Sequence, residues 1–267
     1  MSQLLDHLQC MSTDLAPVVL MPSNPAKADC IGEMFDGAKN VGRYREFVSW
    51  TGTWNGLPIS TVSTGIGCPS TAIAVEEAIR GGGRVLIRVG TCGGAWRADI
   101  ACGSIIIPTA CIREEGTTME YLPSSFPAVA DTDVVTALRT AADELIFPAF
   151  TGINRTHDSY YGPSRRREDW ARAMDSARVD MAYQPILSSE MECSALFLVA
   201  SLRGVRAGAV LAVNAPPEPL QTTESPNYMP VMRGESISAK EAENRSIQLA
   251  LKSLPRLFSL LPNTSIQ

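Results

Sequence analysis

Short apolar runs that read as strands alternate with helix signals from one end of the chain to the other. That alternation restricts the fold to an α/β sheet rather than separate all-α and all-β modules. "APVVLMPSNP" (16–25) is a strand closed by a Pro-Ser-Asn-Pro turn, and "GLPISTVSTGIG" (56–67) is a strand ending in glycines. "PSTAIAVEEAIR" (69–80) reads as a helix with Ser70 or Thr71 as its N-cap. Further strands are expected at 103–112 and 206–214, and helices at 131–145, 188–204 and 235–254. Residues 215–234 hold five prolines and no periodicity, which predicts a long loop of the kind used as a lid. No linker or repeat interrupts the series, so residues 1–267 read as a single domain.

"RVLIRVGTCGG" (84–94) carries a contradiction. Val85, Leu86, Ile87 and Val89 make a buried strand, yet Arg88 sits among them. A guanidinium stays charged in a protein, so burying it without a partner is very costly. Two resolutions stand open: a salt bridge to a core carboxylate, or an anion bound at the strand end, with Thr91 adding a hydroxyl and Gly93 a bare N–H. The loop fits neither the dinucleotide GxGxxG pattern nor the Gly-Lys-Ser/Thr of a phosphate-binding P-loop. Three such turns fall at the carboxyl ends of expected strands, where open α/β sheets bind ligands, and turn N–H groups beside a helix start make an anion cradle.

Charge excludes one class of partner. Lys and Arg number 23 against 28 acids, a net charge of −5, whereas a nucleic-acid binder needs a basic patch. The longest apolar runs, such as "AGAVLAV" (207–213), are too short for a bilayer, and the N-terminus has no signal-peptide pattern, so the chain reads as cytoplasmic with no membrane partner. Seven scattered cysteines without a CxxC pair, and only His7 and His157, fit neither a disulfide framework nor a histidine-rich metal site. "SSEMEC" (188–193) places Glu190 and Glu192 at an expected helix start, either as a capping box from Ser189 or as carboxylates for sugar hydroxyls. "RYREF" (43–47) and "YYGPSRRRE" (160–168) read as arginine-bearing loops, most of whose arginines are expected to be solvated, and Tyr160 and Tyr161 could stack on a flat ring or simply pack.

Taken in order, "STGIGCPSTAIAVEE" (63–77), "YREF" (44–47) and "SFPAVAD" (125–131) are similar to uridine phosphorylases. "LLDHL" (4–8), "APVVL" (16–20), "IRVGTCGG" (87–94) and "SYYGPS" (159–164) are similar to purine enzymes of the same fold. The chain thus resembles the nucleoside phosphorylase family, whose fold is a central mixed, twisted β-sheet flanked by helices. The resemblance implies reversible phosphorolysis of a ribonucleoside, with inorganic phosphate as co-substrate and no metal or organic cofactor. It implies phosphate binding by Ser23, Lys27, Arg88 and Thr91, with Arg45 reaching in from a neighbouring subunit. It implies ribose binding by Met191, Glu190 and Glu192, with His7 crossing from a neighbour to the 5′-hydroxyl. The base would lie against Cys92, Gly93, Tyr160, Ser164, Arg166 and Asn214, and Arg88, Glu192 and Asn214 would carry the catalysis. Sites shared in this way imply a homo-oligomer, from dimer to hexamer.

The pattern is not kept throughout. Ser23-Asn24-Pro25 replaces the family's Gly-Asp-Pro, and Lys27 replaces an arginine, keeping the charge but losing the bidentate fork. Asn214 stands where purine enzymes carry an aspartate that protonates the leaving base, and resembles the uridine enzymes instead. Yet the uridine enzymes' base-reading glutamine is Ser164 here, and the arginine after their asparagine is Ala215. The expectation is a uridine-preferring phosphorylase. The alternatives are a purine nucleoside phosphorylase and a catalytically impaired nucleoside-binding paralogue.

Overall fold

The computed structural model describes residues 2–93, 99–161, 165–180, 185–214 and 237–261, apart from the side chains at 165–168, 171 and 237–239. The expected loop at 215–234 therefore lies outside the described residues. Ten strands join one sheet: β1 Val18–Met21, β2 Asp36–Tyr44, β3 Phe47–Trp54, β4 Leu57–Val62, β5 Val85–Cys92, β6 Ile105–Glu114, β7 Ala128–Val129, β8 Ala149–His157, β9 Ile186–Glu190 and β10 Arg206–Val213. Their order is β2-β3-β4-β1-β5-β10-β6-β8-β9, with β7 on β6. The sheet is mixed. β4, β1, β5 and β10 run parallel, β6 turns antiparallel to β10, and β6, β8 and β9 are parallel again.

Period-two alternation assigns each strand residue to one of two helical layers. Val18 and Leu20 of β1, with Val85, Ile87 and Val89 of β5, pack in one core cluster with Ile31 of helix α1 (Pro25–Gly32). Val134 and Leu138 of a later helix (Thr132–Glu144) and Leu249, Leu254 and Leu257 of the closing helix (Ile237–Ser259) complete that layer. Val19 and Met21 with Leu86 form the other cluster, against Ala72, Val75 and Ala78 of α2 (Cys68–Arg80) and Leu196, Phe197 and Val199 of a helix at Cys193–Leu202. Among the described residues the helices after α2 are, in chain order, α3 (Thr117–Tyr121), α4 (Thr132–Glu144), α5 (Arg165–Ser176), α6 (Cys193–Leu202) and α7 (Ile237–Ser259). None of the helices, among the described residues, is long and apolar enough to cross a membrane.

Several local expectations change. Neither Ser70 nor Thr71 caps α2; Gly67 occupies the cap position at φ 87°, a conformation that favours glycine. Ser70 instead donates its hydroxyl to the Thr64 carbonyl and to Glu46 Oε1, at 2.6 and 2.8 Å. Residues 188–190 are strand, not helix, because Ser188, Ser189 and Glu190 pair with β8. The box from Ser189 does not form; Glu190 Oε2 accepts from the Glu192 and Cys193 N–H groups and caps α6 itself, at 2.8 and 2.9 Å. Residues 43–47 are the tight β2–β3 hairpin with Arg45 at φ 52°, and α5 begins at Arg165, inside the expected loop.

Candidate active site

Arg88 shares its face of β5 with Leu86 and Gly90, and so points toward the α2/α6 layer. It is 3% exposed. Of the two readings of this arginine, the structure forms the salt bridge to core carboxylates. Its Nε donates to Glu190 Oε2 at 3.1 Å, and its Nη2 donates to Glu192 Oε2. Its Nη1 is buried and has no hydrogen-bond partner. A buried donor left unmatched costs on the order of 1–3 kcal/mol, more for a charged group, so this nitrogen keeps unspent donor capacity.

Glu190 lies on β9, four positions from β5 in the sheet order, so adjacent strands alone do not bring it to Arg88. The sheet curls: Gly93 and Ser189 exchange both backbone hydrogen bonds at 3.0 Å, joining the end of β5 to β9. The Gly93 N–H is thus spent on Ser189 and is not the bare anion donor expected from the sequence. Glu190 Oε1 also accepts from Asn154 Nδ2 at 2.9 Å and from the Thr156 hydroxyl at 2.7 Å. Glu192 Oε1 accepts from the Gly67 N–H at 2.8 Å, tying the start of α2 into the same cluster.

Three buried charges sit in contact, and their environments separate them. Burial pushes Glu190 up, but Arg88, the Thr156 hydroxyl and two backbone N–H groups outweigh it and hold its carboxyl below the usual range. Glu192 is pushed above that range, first by burial and further by Glu190, despite Arg88 and Gly67. Burial draws Arg88 down, yet Glu192 and Glu190 more than reverse this, so the guanidinium keeps its charge.

The turn after β1 adjoins this cluster, because Met21 is in register with Arg88. Asn24 caps α1, its Oδ1 accepting from Ala26 N–H at 2.9 Å, while half-buried Ser23 precedes it. Lys27 reaches Glu243 of α7, Nζ to Oε2 at 3.2 Å. Burial lowers the Lys27 pKa, Glu243 opposes that, and Arg88 adds to the lowering. Thr91 is half-buried on the opposite face of β5 from Arg88. The Cys92 thiol turns to the Ala212 carbonyl at 3.7 Å, and burial pushes its pKa up to about 12, so it stays a neutral thiol. Half-buried Asn214 follows β10 and donates its backbone N–H to the Cys92 carbonyl at 3.2 Å.

Met191 is half-buried between the two glutamates, its carbonyl accepting from the Cys68 thiol at 3.3 Å. Tyr160 is exposed and meets Tyr161 edge-to-face at 4.8 Å. Ser164 and the Arg166 side chain lie outside the described residues. His7 and Arg45 are not gathered to the Arg88 cluster. His7 stands edge-on to Phe47 at 6.2 Å, two residues from Arg45, whose exposed guanidinium lies 5.3 Å from the Tyr44 ring centre. Asn154, Thr156, Gly67, Glu77 and Glu243 are the participants that the sequence reading missed. Each is supplied by an element remote in sequence from its partner.

A profile of the phosphorylase superfamily matches residues 17–250. A uridine phosphorylase of Treponema pallidum is 41% identical over 209 residues, 78% of this chain and 80% of that protein. The crystal structure of uridine phosphorylase from Vibrio fischeri superposes with a TM-score of 0.79 at 26% identity, covering 94% of this chain and 97% of the other. Purine nucleoside phosphorylase from Toxoplasma gondii, in complex with immucillin-H, superposes with a TM-score of 0.78 at 28% identity, covering 93% and 94%. With the profile spanning most of the chain, on a sheet and site of this kind, the protein belongs to the phosphorylase superfamily.

Proposed function

We propose that the protein is a uridine phosphorylase-like nucleoside phosphorylase, a pentosyltransferase that cleaves a ribonucleoside with phosphate to free base and ribose 1-phosphate. The observation that carries the reading is the unmatched Nη1 of Arg88, buried in the middle of β5. In this reading a phosphate oxygen accepts from Nη1 and others meet the Ser23–Lys27 turn. A phosphate oxygen attacks the anomeric carbon as the glycosidic C–N bond breaks, and the bonding pair leaves with the base. Arg88 holds the nucleophile in line while Glu190 and Glu192 fix that arginine. Glu192 and Met191 line the ribose, whose ring gains positive charge in the transition state.

Asn214 favours a pyrimidine. Its amide can hydrogen-bond a departing base but has no proton to give, and a leaving uracil anion spreads its charge over two carbonyl oxygens, whereas a leaving purine gains from protonation. The reaction needs no cofactor beyond phosphate. The site is completed by a second copy: His7 and Arg45 make no contact with the Arg88 cluster, and the exposed apolar residues Tyr44 and Ile66, the latter 75% exposed, lie on the same stretch of surface chain as Arg45 and Gly65. A self-complementary contact through that patch gives each copy the other's Arg45 and His7.

Ultraviolet-monitored cleavage of uridine, thymidine, inosine and adenosine, each with and without phosphate, tests the reading. Phosphate-dependent release from uridine supports it, and release from inosine alone would move the assignment to purines. Nucleoside binding by calorimetry with no turnover of any substrate would overturn it in favour of a non-catalytic paralogue, a reading favoured by Lys27 being engaged with Glu243.

A further inference from the structure

Glu77, on α2, is 4% exposed, and a buried carboxylate demands donors for both its oxygens. It receives them from the N-terminal loop. The backbone N–H of Leu8 donates to Oε2 at 2.9 Å, and the His7 N–H is shared between Oε2 and Oε1, at 3.0 and 3.1 Å. His7 Nδ1 then lies 2.7 Å from Oε1. The two backbone bonds already tie the loop to α2, and the third fixes the ring. A carboxylate only accepts, so Nδ1 carries the proton, and in the neutral ring Nε2 is left as an acceptor. The Phe47 edge contact at 6.2 Å restrains the same imidazole, and Nε2 meets no hydrogen-bond partner among the described residues.

We infer that Glu77 is a positioning residue for the reaction: it holds His7 in the Nδ1–H tautomer so that Nε2 accepts a hydrogen bond from the 5′-hydroxyl of a ribose bound in a neighbouring copy. This rests on the reading of His7 as a ribose contact. Glu77 is not a catalytic residue, since it touches no substrate. It acts through the ring, much as an outer carboxylate fixes the imidazole in a hydrolase triad. Helix α2 serves two sites in this arrangement. Its start is bonded through Gly67 to Glu192 of its own site, while Glu77 aims His7 outward.

The test compares uridine with 5′-deoxyuridine, which lacks the hydroxyl in question, in the wild type and in the His7→Ala and Glu77→Gln variants. Both variants should lose about tenfold in kcat/KM on uridine and little on 5′-deoxyuridine, collapsing the discrimination between them. Turnover of 5′-deoxyuridine reports that the variant is folded. If His7→Ala keeps full discrimination, the reading of His7 falls. If His7→Ala loses it but Glu77→Gln keeps it, or lowers both substrates equally, the positioning role falls and Glu77 is only an anchor. A second measurement needs no variant of Glu77. The chain has two histidines, so His7→Ala assigns the ring signals in nitrogen NMR. The neutral His7 ring of the wild type should appear as the Nδ1–H tautomer. An Nε2–H tautomer would overturn the proposal.

Discussion

The Arg88 guanidinium lies against the bare backbone of Gly90: a β-carbon built there would stand 2.9 Å from Cζ and Nη2 and 3.0 Å from Nε. The absence of a side chain two residues along the strand makes room for the charge. Gly90→Ala should therefore displace the guanidinium from Glu190 and Glu192. A misplacement of about 1 Å at a reacting group costs on the order of 100-fold, and we expect at least that loss in kcat/KM for phosphate. Overpacking should cost about 1–3 kcal/mol in a urea melt. Unaltered kinetics would show that the arginine works equally well from another position.

Removing the arginine itself should abolish phosphate-dependent turnover and leave two buried carboxylates without a counter-charge. Breaking a buried pair in this way costs about 3–5 kcal/mol. The pH dependence follows from the two glutamates. Glu190 is depressed in the native state, so its contribution is present above the unfolded value of about 4.3 and is lost as pH falls through the native one. Glu192 is raised, so its contribution is present below about 4.3 and is lost as pH rises through its native value. In Arg88→Ala both carboxyls lose the group that lowers them and favour protonation. The stability gap to the wild type should thus be wide near about pH 8 and narrow near about pH 5. Urea melts at the two values decide, and an equal gap would mean that the carboxylates are not what the arginine neutralises.

Lys27 and Glu243 form the one contact that ties the turn after β1 to α7, at 3.2 Å, among the ion pairs of the described residues. A phosphate and the Glu243 carboxylate would compete for the same ammonium. Glu243→Gln should lower KM for phosphate about threefold to tenfold near neutral pH with kcat unaltered, the signature of a change in binding alone. A KM that rises would show that Glu243 keeps the lysine charged and in place rather than withholding it.

If Arg45 serves a neighbour's site, two defects on different chains can complement. Arg45→Ala and Arg88→Ala should each be inactive alone. After mixing under conditions that exchange subunits, activity should return to about one quarter of the wild-type level, the share expected from random pairing of two chains in a closed dimer. A mixture as inactive as its components would place Arg45 in its own chain's site or in none.

What the sequence disclosed and what it hid divide along contact distance. A single charge in an apolar alternation marked Arg88 and the layer it must face, and the turn residues marked the carboxyl ends of β1, β4 and β5 as the working edge. The pairing of Arg88 with Glu190 and Glu192 spans 102 and 104 residues and depends on the curl closed by Gly93 and Ser189. Local pattern made Ser189 a cap when its strand pairing with β8 decided otherwise. Glu77 and Glu243 sit in "VEEA" and "KEAEN", which look like solvated helix faces until the partner segment is in place. One legible signal went unread: Asn55-Gly56, at φ 51° and 78°, is the two-residue turn of the β3–β4 hairpin.

The cluster of one arginine and two glutamates has a consequence for engineering. Charges taken out of water are costly, and replacing such a group by hydrocarbon of similar volume has stabilised other proteins by about 1–4 kcal/mol. Here the same replacement would delete the free Nη1. Thermal stability and activity therefore pull in opposite directions at Arg88, Glu190 and Glu192. A library selected only for resistance to heat should drift toward a well-packed apolar interior at these three positions, and its most robust members would be folded and inert.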